Sequence, residues 1–453
     1  MPHQAIGALA FMGDLSMGQP VDHSPRTAAL AAALARETGC DDDEVADCLH
    51  LALLRWSGCT ANAAEFSGLL GDDVAGRRAL IEGHDPFVAA RPPPAPALAI
   101  APLGAMHCDT VGLISGRLGL PARLASAASD FFETWDGTGL PLGKAGARID
   151  RRARIVALAG HVEIATRLRG AQTGRAGIAG DPRFDPALVA ALRDLRLNAI
   201  LADPDPWRTC QGLLPTPEAD LGAEAAARLL GDVAELKLPA RIGETARLAD
   251  LASRAAASAG LADAARTGLT QAIRLHRLGW VGLPNRLAES ARANAVEAER
   301  IALAPHWTLR ILQRMPALAD AACLLAATAT PALVAADRAD RGAVHILVAC
   351  LDQDAPGLDR AMRAHVQAAR TGAARPEPAA TPLTQRETDV LGELVRGATN
   401  KEIARRLGIS PSTAGTHVES IYRKLDVSNR ATAALRAMEI GLPLAPGRTD
   451  AIP

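Results

Sequence analysis

Apolar side chains recur at helical spacing along nearly the whole chain. In 23–39, HSPRTAALAAALARETG, and in 244–260, ETARLADLASRAAASAG, apolar residues return every three or four positions, which predicts two amphipathic helices. These segments also echo one another without gaps, sharing Arg26/Arg247, Ala28/Ala249, Leu30/Leu251, Ala31/Ala252, Ala35/Ala256 and Gly39/Gly260. The same offset places Leu54 on Leu275, Arg55 on His276, Trp56 on Arg277 and Gly58 on Gly279, so two related helical domains in tandem are expected. Near the C-terminus, Val390, Leu391, Leu394, Ile403, Leu407, Val418, Ile421 and Leu425 supply one core for four short helices.

Turn chemistry divides that last block. Thr384 with Glu387 forms a capping box, Asn400 is read as the cap of the second helix, Gly408 ends it, and Ser410 with Pro411 starts the third. Helix, short glycine turn, helix is the layout of a helix-turn-helix. Proline-rich stretches at 91–102 and 371–382 punctuate the chain, and prolines at 202–219 mark a softer break. The expected division is a first helical domain at 1–205, a second at 206–370, a linker at 371–382 and a helix-turn-helix domain at 383–445.

Composition sharpens this. Alanine is abundant and aromatics are 3%, which suits close helix packing, so an all-α fold is expected. Net charge is −1, so any nucleic-acid site must be local. The seven cysteines lack a CxxC pair and read as reduced thiols, which implies a cytoplasmic protein. The N-terminus lacks the charged leader of a signal peptide, and the longest apolar stretch, 321–336, is too short and too polar for a membrane span.

One position breaks the pattern. In LLRWSGC (53–59), an arginine and a tryptophan stand at a helix end where periodicity predicts burial, and a buried arginine needs a partner. The surrounding residues carry a resemblance. FFETWDGTGLPLGKAGARIDRRARIVALAG (131–160) resembles the HD-GYP branch of the HD phosphohydrolases through ETWDGTGLP and ARIVALA. That family places a cluster of two or three metals on its histidines and aspartates to cleave cyclic di-GMP. By this resemblance His23 matches the first histidine, and His107 an intermediate ligand. Arg55 and Trp56 stand where His-Asp should be, Phe131 and Phe132 replace paired histidines, and Gly160 replaces the closing aspartate. In the second repeat Glu244 replaces the first histidine, His276 remains, and Arg277 replaces its aspartate. One or two imidazoles cannot hold a dinuclear cluster, so no metal, no cofactor and no hydrolase activity are expected. Arg55 is expected to answer acids that a metal once held, Glu133 or Asp136, with Phe131, Phe132 and Trp56 filling the volume. Gly137, Gly139 and Pro141 read as loop scaffold.

Residues 383–442 resemble the LuxR-type DNA-binding domain through LTQRETDVL, TNKEIARRLGIS, TAGTHVESIYRKL and Arg430 after VSN. The resemblance implies double-stranded DNA as partner, with the third helix in the major groove. Ser412, Thr413, Gly415, Thr416, His417 and Glu419 would face the bases, and Lys401, Arg423, Lys424 and Arg430 would hold phosphates. Gly415 and Glu419 depart from the family's polar or basic residues, and the block holds nine Lys/Arg against seven Asp/Glu. Weak monomer binding and a homodimer through the last helix (431–442) are therefore expected, with Ala433, Ala434 and Ala437 allowing close approach. The sequence thus reads as a dimeric transcription regulator with inactive HD-like domains and room for a small-molecule or nucleotide effector. Two competing readings are a phosphohydrolase with an unconventional site (His23, His107, Glu133 and Asp136, or Glu244 and His276) and a nucleotide sensor without chemistry.

Overall fold

The computed structural model describes residues 2–84, 96–217, 220–288, 293–329, 340–352, 360–371, 381–442 and 444. All regular structure among them is helical. The linker core at 372–380 and most of the second repeat's 328–341 segment lie outside the described residues. No helix among the described residues is long and apolar enough to cross a membrane. The chain forms two compact units, residues 1–222 with 281–292, and residues 223–280 with 293–453.

The echo seen in the sequence is a structural repeat, and it reaches further than the identities do. In the first unit the helices run Pro2–Ser16, His23–Glu37 and Asp42–Leu54; in the second, Ala223–Glu235, Glu244–Ser258 and Asp263–Leu275. Their starts share the offset that the sequence showed. Gly39 (φ 76°) and Gly260 (φ 73°) make the same left-handed turn between the second and third helix. The N-terminus of each middle helix is held by a buried carboxylate from the preceding helix. Asp14 accepts the Ser24 amide at 3.1 Å and the Ser24 hydroxyl at 2.6 Å, and Glu235 accepts the amides of Gly243 at 2.7 Å and Thr245 at 2.6 Å. Helix N-termini leave unpaired N–H groups, and a carboxylate there both pairs them and meets the positive end of the helix dipole. The sequence reading did not pick out this pair, because Asp and Glu are not identical and neither lies in a conserved-looking motif.

The first unit completes its core with Arg151–Arg169, which packs on both His23–Glu37 and Asp42–Leu54 and buries Ile155, Val156, Leu158, Ala159 and Val162. The second unit carries its repeat together with the four terminal helices, Gln385–Val395, Asn400–Leu407, Pro411–Leu425 and Arg430–Glu439. Of the anticipated core of these four, Val390, Leu391, Ile403, Ile421 and Leu425 are buried and Leu407 is half-buried.

Candidate functional site

The terminal block is built from local signals. Thr384 and Glu387 form their capping box, Gly408 (φ 65°) closes the second helix, and Ser410 caps the third with Pro411 in its first turn. The second helix is capped by Thr399, whose side chain accepts the Glu402 amide, and not by Asn400. Asn400 is the first helical residue; Thr399 wins because Glu402 lies three positions on and returns the bond to the Thr399 amide at 2.8 Å.

In Pro411–Leu425, Ala414, Val418, Ile421 and Leu425 face the core. The opposite stripe, Ser412, Thr416, Glu419 and Arg423, spaced four, three and four apart, is exposed as one face, with Thr413 beside it. Thr413 is drawn into the cap, its amide donating to the Ser410 hydroxyl at 3.0 Å. Gly415 and His417 are half-buried at the edges of the stripe. A Cβ at Gly415 would stand 3.5 Å from the Asn400 side-chain nitrogen, an ordinary contact, so the helix has room there for a side chain it does not carry.

The four expected phosphate contacts separate into two kinds. Lys401 and Arg423 are exposed. Lys424 reaches back 2.7 Å to Glu387, which also accepts the Ser420 hydroxyl at 2.8 Å. Burial pushes the Glu387 carboxyl up, but the Lys424, Thr384 and Ser420 donors outweigh it and hold it at about 2. This bridge locks the third helix onto the first. Arg430 is half-buried beside Gly397, and burial lowers its pKa.

The last helix is enclosed on nearly every side. Ala433, Ala434 and Ala437, expected to meet a second copy, are at most 1% exposed within the chain. They lie between the Gln385–Val395 helix and Ala223–Glu235 of the second repeat, and the Arg247 guanidinium donates to the Leu444 carbonyl at 3.1 Å. That face is therefore occupied by the chain's own repeat.

In the first repeat Arg55 is buried, as expected, but its partner differs. Glu133 accepts the amides of Leu142 at 2.7 Å and Lys144 at 2.8 Å, and exposed Asp136 accepts Thr134 and Thr138 hydroxyls at 2.6 and 2.8 Å. Both acids are used by their own loop, so neither pairs with Arg55. The guanidinium instead stacks 4.5 Å from the Trp56 ring centre and lies 3.4 Å from the Val156 carbonyl. Its NH1 atom sits 2.3 Å from where a Cβ on Gly160 would be, so the arginine occupies the space that a side chain at position 160 would need. Burial pushes its pKa down to about 10, which leaves it charged at neutral pH.

The imidazoles that the HD resemblance singles out have separate partners. The His23 Nδ1 is 2.6 Å from Glu163, and Glu163 is held below its usual range because His23 and Arg26 outweigh its burial. His107 Nε2 donates to the Arg55 carbonyl at 2.7 Å, which leaves Nδ1 unprotonated 3.5 Å from the Cys59 sulfur, whose thiol also lies 3.2 Å from Met17 Sδ. Burial pushes His107 down to about 3, so it is neutral. In the second repeat His276 bonds the Ile273 carbonyl at 2.6 Å and Arg277 pairs with Glu244. Among the described residues, no three His, Cys, Asp or Glu side chains converge as a metal would require. The signature loop does act as scaffold: Gly137 takes φ 79°, and a Cβ on Gly139 would lie 2.3 Å from the Thr134 amide nitrogen.

The fold and the exposed helix face define the terminal block as a LuxR-type helix-turn-helix domain. Residues 381–437 match the family described as bacterial regulatory proteins, luxR family. Over 60 residues the chain is 50% identical to an uncharacterized transcriptional regulatory protein, YhcZ, of Bacillus subtilis, covering 13% of this chain and 28% of that one. Over 68 residues it is 43% identical to the transcriptional regulatory protein MctR of Rhizobium johnstonii, covering 15% and 32%. The chain thus spans about a third or less of these relatives. A crystal structure of cyclic GMP-AMP specific phosphodiesterases from V. cholerae superposes with a TM-score of 0.57 over 83% of this chain and 98% of that one. At 18% identity, that likeness establishes the HD-like fold of the helical domains and nothing further.

Proposed function

We propose that this protein is a DNA-binding transcription regulator whose HD-like domains regulate and do not hydrolyse, and that it acts as a dimer through a surface other than the buried Ala433, Ala434 and Ala437 face. The observation that carries the reading is the exposed stripe Ser412, Thr416, Glu419 and Arg423 on a helix whose other face is pinned in the core behind a glycine turn. Such a helix presents side chains to base edges in a major groove, with Lys401 placed to neutralise phosphate. Lys424 contributes by fixing that helix to Glu387. Salt titration of binding to double-stranded DNA separates the roles. Lys401→Ala should lower the log–log salt slope by about one, whereas Thr416→Ala should leave the slope alone and relax one base preference by roughly 1–3 kcal/mol. An unchanged slope for Lys401→Ala removes that assignment, and absence of duplex binding at low salt removes the reading. Sedimentation of the DNA complex tests for two chains per site.

The silent-domain part rests on donor chemistry. His107 spends Nε2 on the Arg55 carbonyl, the nearby acids hold their own loop, and a buried guanidinium stands where the HD resemblance puts a ligand pair. These residues do not fit a di-metal hydrolase. Cleavage of a cyclic dinucleotide by purified protein with added manganese would overturn this.

A further inference from the structure

The aromatic residues at the positions that the HD resemblance assigns to ligands line an open space without filling it. Trp56 and Phe132 pack at 6.4 Å and His107 and Phe132 at 5.1 Å, ring centre to ring centre, and together they form one wall of a cavity of about 360 Å³ in the first unit. Phe66 adds a further ring, and Leu80, 37% exposed, also lines it. That volume lies at the lower end of small-molecule sites, roughly 300–1,000 Å³.

What the walls do not offer identifies the ligand class. Asn62, Arg77, Arg183, Thr134, Thr138 and His107, which line the cavity, each already hold a partner within the protein. Asn62 donates to the Leu103 carbonyl at 2.8 Å and accepts from Arg77 at 2.6 Å, and Arg77 also donates to the Cys59 carbonyl at 2.8 Å. Arg183 grips Asp181 with two nitrogens, at 3.0 and 2.7 Å. Thr134 and Thr138 are held by Asp136, and His107 by the Arg55 carbonyl. A phosphate or carboxylate entering here would shed water against rings and aliphatic groups, and the arginine charges at its walls are already answered, Arg183 by Asp181 and Arg77 by Asp73, so its charge would be poorly compensated. A flat hydrocarbon surface meets rings and aliphatic groups, with no bond to break.

We infer that the first repeat binds a neutral, flat, apolar small molecule in this cavity, beside the positions that the HD resemblance assigns to metal ligands. The inference stands apart from the DNA-binding reading, since ligand binding is measured without DNA. Gly104 supplies a way to close the site: it lies in the helix Pro96–Arg117, lines the cavity, and a Cβ there would rest 3.5 Å from the Phe132 ring.

The test titrates full-length protein with N-phenyl-1-naphthylamine, a neutral fluorophore that brightens in apolar surroundings. One saturable site per chain is expected, lost or weakened at least about tenfold in Gly104→Leu, which fills the cavity while its thermal midpoint stays at or above that of the parent. Leu80→Asp, at a partly exposed position, should weaken binding severalfold without affecting folding and keeps the test valid if Gly104→Leu folds poorly. Cyclic di-GMP should not displace the probe. Non-saturable binding, parental affinity in both variants, or stoichiometric displacement by cyclic di-GMP would each overturn the inference.

Discussion

The two repeats share a scaffold and diverge at the same point of it. Each ends its third helix, at Leu54 or Leu275, on the residues where an HD protein keeps its name-giving pair. The first repeat has put Arg55 and Trp56 there and buried them, with an apolar cavity alongside; the second has put His276 and Arg277 there, half-buried and facing Glu244. Helix starts, the left-handed glycine and the carboxylate under the middle helix are common to both. Scaffold positions answer to backbone demands that any sequence must meet, whereas the residues that follow the third helix answer to their own neighbours and are core in one repeat and half-buried in the other.

The sharpest way to break this comparison is to remove the two arginines in turn. Arg55→Ala deletes a buried stem and its stacking on Trp56 and leaves a hole against Gly160, so a loss of about 2–4 kcal/mol in urea unfolding is expected, as for other large-to-small buried changes. Arg277→Ala removes a partly exposed ion pair and should cost no more than roughly 1 kcal/mol. Equal losses would mean that burial at Arg55 has no special weight. Gly160→Ala should cost about 1–3 kcal/mol alone by forcing the guanidinium aside. In the Arg55→Ala background it should be neutral or stabilising, and a cycle without that coupling would separate the two positions.

That pairing marks where the sequence stopped being legible. The terminal block was readable because capping boxes, Gly408 and Pro411 act within one helical turn; even the error over Asn400 is correctable from Thr399-x-x-Glu402. Burial of Arg55 was readable from periodicity. Its fit against Gly160 was not, since the two are joined only by packing, although an arginine gained and a side chain lost within one ligand set was the available signal. Nothing local to Lys424 reveals Glu387 across the helix pair, and the smallness of Ala433, Ala434 and Ala437 does not say which neighbour they meet. The Asp14 and Glu235 pair went unseen for want of identity between the two side chains.

Acid should separate the two units next. Burial lowers His50 and His161 to about 4 and His107 to about 3 in the first unit, and His276 to about 4 in the second. An unfolded chain takes up these protons near the ordinary value of 6.5, before the folded chain does, so the unfolded state binds more protons as pH falls. The stability from keeping these rings neutral is full above pH 6.5 and drains away toward pH 4. With these three rings and His3, also lowered by burial, against one in the second unit, the first unit should lose stability more steeply, read as urea midpoints from pH 7.5 to 4.5, and His107→Asn should flatten that slope. A steeper fall in the second unit would contradict the placement of these histidines.

The smallest expected effect bears on what the repeats share. Gly39 and Gly260 have positive φ and nothing within 4 Å of where a Cβ would stand, so substitution meets no clash and reports backbone strain alone. An L side chain in this conformation costs roughly 1–2 kcal/mol, offset in part because alanine also restricts the unfolded chain. Gly39→Ala and Gly260→Ala should therefore each destabilise by about 1 kcal/mol, and by nearly the same amount, although the helices they join hold different side chains. A difference beyond about 0.5 kcal/mol between them would mean that the turn answers to its neighbours after all, and the division into a common scaffold and divergent positions after the third helix would fail at its simplest point.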